Sequence, residues 1–149
     1  MTAFCFEPAT AADFDDLLAL RLRAMRVSLE ALGRYDPVRA RQRFADHFQP
    51  EYCRHIVVEG RRVGCVSLKP AEQGLLIDQF YLQANWQGRG LGSLVLQALL
   101  AEVDEQGLPV QVEVLKGSRA NGFYLRQGFV LQSDGPYDNY YQRPACVAA

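Results

Sequence analysis

A chain that places Gln87-Gly88-Arg89-Gly90-Leu91-Gly92-Ser93 between a β-rich run, Leu75 to Gln83, and an apolar run with helical spacing, Leu91 to Glu105, has few folds open to it. Three glycines in five positions let the backbone pass close to a ligand and leave its N–H groups unobstructed. The helix that follows begins with N–H groups that have no partner inside the helix, and its dipole puts partial positive charge at that end. Strand, loop and helix together build a pocket for an anion, most often a phosphate. At about 1.5–3 kcal/mol for each hydrogen bond to a charged acceptor, three or four convergent amides hold a pyrophosphate without any lysine.

The remaining segments set the context of that unit. Ala3 to Glu7 reads as a first strand ending at Pro8, and Thr10-Ala11-Ala12-Asp13 fits the pattern that opens a helix, with Asp13, Asp15 and Asp16 where the dipole favours negative charge. Phe14, Leu17, Leu18, Met25 and Leu29 continue that one amphipathic helix to a stop at Gly33. Asp36-Pro37 starts a second helix that runs to about Phe48, with Phe44 and Phe48 on a core face and Arg39, Arg41 and Arg43 on a solvated one. His55 to Glu59 and Arg62 to Lys69 form a hairpin around Gly60-Arg61. Val110 to Leu115 is a strand, Ser118 caps a short helix to about Gln127 that ends at Gly128, and Phe129 to Gln132 and Asn139 to Gln142 close the chain as strands. The order β-α-α-β-β-β-α-β-α-β-β predicts a single α/β domain over residues 1–149, with a mixed sheet of six to seven strands and about four helices.

Charge and cysteine usage exclude several classes. Sixteen basic and seventeen acidic residues leave a net charge of −1, which provides no global field for nucleic acid or for an anionic membrane. Cys5, Cys53, Cys65 and Cys146 are scattered with no C-x-x-C pair and no histidine clustering, so neither a structural metal site nor a disulfide framework is expected. Free thiols, the lack of a basic-then-apolar segment at the N-terminus and the lack of a run of roughly 20 apolar residues lead to the expectation of a cytoplasmic protein.

Two readings of the glycine loop carry little weight. Gly88-x-Gly90-x-x-Ser93 approaches the dinucleotide fingerprint, but Ser93 stands at its third glycine, and only Glu113 loosely offers the acidic residue expected about 20 positions on. The Walker A pattern requires a lysine that this loop does not have.

Two motifs together carry a family resemblance. Gln87-x-x-Gly90-x-Gly92, after a strand and before a helix, resembles the Q/R-x-x-G-x-G/A acetyl-coenzyme A signature of the GNAT superfamily of N-acetyltransferases. Asn121-Gly122-Phe123-Tyr124-Leu125-Arg126-Gln127-Gly128-Phe129 resembles the N-x-x-F/Y-Y-x-x-x-G-F segment that follows the fifth strand in that family. The element order is also similar, so the resemblance covers nearly the whole chain.

It implies a GNAT-like fold splayed between strands four and five, acetyl-coenzyme A as cosubstrate, no metal, and transfer of acetyl to a primary amine by direct attack. No cysteine lies in or beside either motif to suggest an acetyl-enzyme. The amides of Gly88, Arg89, Gly90, Leu91, Gly92 and Ser93 would hold the pyrophosphate, assisted by Gln87 and Arg89, and Leu82 would offer backbone groups to the pantetheine arm. Asn121 would reach the pantetheine or the catalytic water, and Tyr124 would protonate the departing thiolate, a role that suits a phenol still protonated at neutral pH. One departure is Ala84, where the family often has proline.

The acceptor amine must lose a proton, and Asp78 is the expected base, because strand alternation puts Asp78, Phe80 and Leu82 on one face. His55 and His47 stand behind it. Tyr35, Tyr137, Asp138, Tyr140 and Tyr141 are the expected wall for a cationic amine, small-molecule or peptide, through charge and cation–π contact. Relatives are often homodimers, and no feature of the sequence decides that point here. A coenzyme A-binding sensor without turnover and a dinucleotide-dependent oxidoreductase are the alternatives from other classes.

Overall fold

The computed structural model describes residues 3–146. The elements are β1 (Cys5–Pro8), α1 (Phe14–Ala31), α2 (Pro37–His47), β2 (Cys53–Val58), β3 (Arg61–Ala71), β4 (Gly74–Leu82), α3 (Leu91–Gln106), β5 (Val110–Leu115), α4 (Ala120–Arg126), β6 (Val130–Asp134) and β7 (Asp138–Arg143). Their order is the one expected from the sequence, and the strands hydrogen-bond in the order β1-β2-β3-β4-β5-β7-β6 as one mixed sheet. The chain packs as two compact units, Met1–Ser67 with Gln79–Leu91, and Leu68–Asp78 with Gly92–Ala149.

In the first unit the Thr10 N–H donates to Asp13 Oδ2 at 2.9 Å, closing a 3-10 turn over Ala11–Asp13, so α1 itself begins at Phe14 rather than running unbroken from Thr10. Asp36 caps α2 by accepting the Arg39 N–H at 3.1 Å, and Pro37 takes the first helical position, where its missing N–H is harmless. Leu17, Leu18 and Leu20 of α1 pack with Phe44, Cys53 and Cys65, and the rings of Phe14, Phe44 and Phe48 lie 5.2–5.5 Å apart. Each such fully buried side chain contributes about 1.5–3 kcal/mol. Arg39, Arg41 and Arg43 are exposed as expected.

The second unit is built on α3, whose Val95, Leu96, Leu99 and Val103 are inaccessible to solvent. Val110, Val112 and Val114 of β5 alternate inward and join Tyr124, Phe129 and Tyr141 in the core. Arg143 of β7 clasps Asp104 of α3 through two bonds of 2.7 and 3.2 Å. One local expectation changes. Ser118 does not cap α4: its hydroxyl donates to the Leu115 carbonyl at 2.9 Å, and Arg119 takes the cap position. The fifth strand's ladder with β4 is parallel and covers Leu75–Ile77 against Val110–Val112. Among the described residues, no helix is long and apolar enough to cross a membrane, and no three His, Cys, Asp or Glu residues converge as a metal site.

Candidate active site

The glycine loop up to Leu91 belongs to the first unit, and Gly92 and Ser93 belong to the second. β4 ends at Leu82, a 3-10 turn covers Ala84–Trp86, and Gly88 and Gly90 then take φ of +71° and +83°, left-handed backbone that only glycine adopts freely. Nothing lies within 4 Å of a Cβ built on either glycine, so the surface there is bare backbone. The side chains of the loop turn back on it. Gln87 Nε2 donates to the Leu82 carbonyl at 2.9 Å, Arg89 Nη1 donates to the Asn85 carbonyl at 3.2 Å, and the Arg89 guanidinium lies 4.6 Å over the Trp86 ring. These contacts turn the Gln87 and Arg89 side chains onto the loop's own backbone and hold it in shape.

A family model for the acetyltransferase (GNAT) domain matches residues 51–131, more than half of the chain. The chain belongs to the GNAT acetyltransferase family. Solved structures agree on the fold. The PaiA N-acetyltransferase from Thermoplasma acidophilum, in complex with coenzyme A, superposes with a TM-score of 0.76 at 12% identity, covering 95% of this chain and 99% of its own. The ribosomal-protein-S18-alanine N-acetyltransferase from Escherichia coli gives 0.74 at 16% identity, covering 99% and 97%. An acetyltransferase from Thermus thermophilus gives 0.69 at 21% identity, covering 97% and 99%. No curated protein matches.

The GNAT acid candidate, Tyr124, is buried in α4 of the second unit, with its ring edge-on to Phe123 and Phe129, each at 5.2 Å. Asn121, one turn earlier, is tied into the same unit. Its Nδ2 donates to the Leu115 and Ser118 carbonyls at 2.9 and 3.0 Å, and its Oδ1 accepts from Asn139 and from the Tyr141 hydroxyl at 2.9 and 2.8 Å. Asn121 thus fixes α4 against β5 and β7. Ser93, in the first turn of α3, accepts a hydrogen bond from Gln127 at the end of α4 at 3.1 Å.

The second unit also collects acids on one sheet face. Ile77 pairs with Val112, so Asp78 and Glu113 follow side by side, and Glu113 lies opposite Tyr140, two residues from Asp138. Asp78 is ion-paired with Lys69 at 3.2 Å. Glu113 is exposed at the sheet surface, but partial desolvation among its neighbours raises its carboxyl above the usual glutamate range, and the charges of Asp138 and Asp78 push the same way against Lys69. Glu113 is the member of this acidic face that the sequence reading did not place there. Valines at 110, 112 and 114 already turned it to the opposite face, but its place beside Asp78 depends on a parallel register that no local pattern encodes.

The aromatic wall divides between the units. Tyr35 lies in the first, under the Arg26 guanidinium at 4.8 Å. Tyr137, Asp138 and Tyr140 lie at the β6–β7 turn of the second, where the Tyr137 carbonyl accepts the Lys116 N–H and the Asp138 carbonyl accepts the Gly135 N–H.

Of the reserve bases, His47 is exposed, with Nδ1 2.9 Å from the Arg43 carbonyl. His55 is buried, its Nε2 3.0 Å from Asp13 Oδ2, while Asp13 Oδ1 accepts from Arg62, which also pairs with Glu7. The His55 bond and the Thr10 N–H hold the Asp13 carboxyl far below the usual aspartate range. A depressed carboxyl contributes stability that is present above its unfolded pKa, about 3.9, and is lost as pH falls below that. Urea midpoints are therefore expected to fall steadily from about pH 5 downward. Asp13→Asn should flatten that dependence and cost about 1.5–3 kcal/mol at pH 7. An unchanged acid limb would remove Asp13 from this role.

Proposed function

We propose that this GNAT protein is an N-acetyltransferase that moves the acetyl group of acetyl-coenzyme A to a primary amine by direct attack in a ternary complex. The observation that carries the reading is the left-handed glycine loop, bare of side chains, that delivers its N–H groups into the start of α3, in a family with a relative solved in complex with coenzyme A. Gly88 to Ser93 bind the pyrophosphate through their amides, with Gln87 and Arg89 bracing the loop. Leu82 and the residues before it, past the last β4–β5 pair at Ile77, offer unladdered backbone to the pantetheine arm. Asn121 positions α4.

Glu113 takes the proton of the attacking amine, either directly or through water. Its carboxyl is raised above the usual glutamate range and is held in no ion pair among the described residues, whereas Asp78 is ion-paired with Lys69 and shapes the field around it. The amine nitrogen bonds to the acetyl carbon, the carbon–sulfur bond breaks, and Tyr124 gives its phenol proton to the departing thiolate. No thiol is needed. The hydrogen bond with Cys53 and burial push the Cys65 thiol well up, away from a nucleophilic thiolate.

Melting curves with coenzyme A, acetyl-coenzyme A, NAD and ATP test the cofactor. At 100 times its Kd a ligand adds about 2.7 kcal/mol, roughly 5–10 °C for a chain of this size. A shift with the coenzyme A ligands alone is expected, and a shift with NAD alone would overturn the reading. Tyr124→Phe should keep that shift and lower kcat by about 100-fold or more in an amine acetylation assay. Turnover unchanged in Tyr124→Phe would remove the tyrosine from the chemistry, and cofactor binding with no acetylation of any amine would leave a sensor.

A further inference from the structure

We propose that Gln127 is a positioning residue of the cofactor site, whose amide turns the Ser93 hydroxyl so that the hydroxyl proton is given to the pyrophosphate of acetyl-coenzyme A. This rests on the acetyl-transfer reading above and adds to it a residue that acts through another. Both residues belong to the second unit, and both are half-buried. Gln127 Nε2 donates to Ser93 Oγ at 3.1 Å, a contact that spans 34 residues of chain. Gln127 falls at an open position of the Asn121 to Phe129 motif, so the role comes from the folded geometry.

A serine hydroxyl has one proton to give and two lone pairs with which to accept. Inside a helix the proton often goes back to a carbonyl about one turn earlier. Ser93 makes no such bond: among the described residues its hydroxyl is bonded to Gln127 alone. The donating amide fixes the serine oxygen as acceptor, so the proton points away from Gln127, where the protein supplies nothing to receive it. Ser93 stands in the first turn of α3, whose N–H groups likewise have no partner within the helix. An anion at that turn meets amide protons and the hydroxyl proton together, and bonds to a charged acceptor are the strong ones. Gln127 is itself held in place. Its backbone N–H donates to the Tyr124 carbonyl at 3.0 Å, and Gly128, next in the chain, takes φ of +89° to end α4. The neutral amide matters, since a carboxylate there would take the hydroxyl proton for itself.

A double-mutant cycle read as the Kd of coenzyme A by calorimetry tests this. Ser93→Ala should raise Kd by about 10- to 100-fold, through loss of one hydrogen bond to a charged acceptor. Gln127→Met, similar in shape but without a donor, frees the hydroxyl to turn and should raise Kd by about 3- to 10-fold. In the Ser93→Ala background the same change should add nothing. Gln127→Glu offers only an acceptor at neutral pH, so it should raise Kd at least as far as Ser93→Ala does. Every variant should melt cooperatively, and kcat at saturating acetyl-coenzyme A should not fall, because the loss is in binding. An unchanged Kd in Ser93→Ala or in Gln127→Met, or a Gln127→Met effect of equal size in both backgrounds, would overturn the assignment. So would wild-type affinity in Gln127→Glu, which would make Ser93 the donor of the pair. A kcat that falls at saturation in Gln127→Met would overturn it by making Gln127 act through Tyr124. A wild-type protein that binds no coenzyme A fails the acetyl-transfer reading itself, and the role of Gln127 falls with it.

Discussion

Gly90→Glu is expected to abolish the stabilisation by coenzyme A while the protein still folds. The φ of +83° at Gly90 strains any L-residue by about 1–2 kcal/mol, which lowers the melting temperature of the free protein by several degrees. Sterics add little, since nothing lies within 4 Å of the new Cβ. The carboxylate, however, stands among N–H groups that the pyrophosphate would occupy, and it both competes for them and repels the phosphates. Loss of two hydrogen bonds to a charged acceptor at about 1.5–3 kcal/mol each raises Kd by more than about 100-fold. Gly90→Ala separates the causes, since it shares the strain without the charge and should retain most of the shift. A normal shift in Gly90→Glu would remove the loop from pyrophosphate binding.

Local chemistry explains which parts of this molecule were legible from its residues. The Asp36-Pro37 start of α2, the apolar spacing of α3 and the alternation of Val110, Val112 and Val114 are decided within a few residues, and each element formed where its pattern placed it. The Gln87 to Ser93 stretch was legible for the same reason, since φ above zero leaves glycine almost no competitor. Ser118 was misread because a hydroxyl near a helix start has two local acceptor choices, and the Leu115 carbonyl won. Side-chain pairs between segments far apart in the chain were not legible. Arg21 and Gln79 stand 58 residues apart, and Asp13 and His55 stand 42 apart. Only the folded register brings Glu113 beside Asp78, and it turned a loose match to a nucleotide fingerprint into the candidate base.

That placement gives the other large effect. Glu113→Gln is expected to lower kcat by about 10²–10⁴-fold with coenzyme A binding intact, because the amide keeps the shape of the side chain and cannot accept a proton. The pH dependence of kcat/KM decides whether the loss belongs to the base. In the wild-type protein the acid limb reports ionisation of a carboxyl raised by partial desolvation and by Asp138 and Asp78, so activity climbs with pH through a range above that of an ordinary glutamate. Asp138→Asn and Asp78→Asn each remove a negative neighbour and should move the limb to lower pH. Lys69→Gln removes the opposing positive charge and should move it to higher pH. Opposite displacements of one limb by charge changes of opposite sign would not arise from a merely structural role. If Glu113→Gln instead keeps both kcat and the acid limb while Asp78→Asn loses them, then the proton goes to Asp78, and the ion pair with Lys69 is a resting contact that the incoming amine displaces.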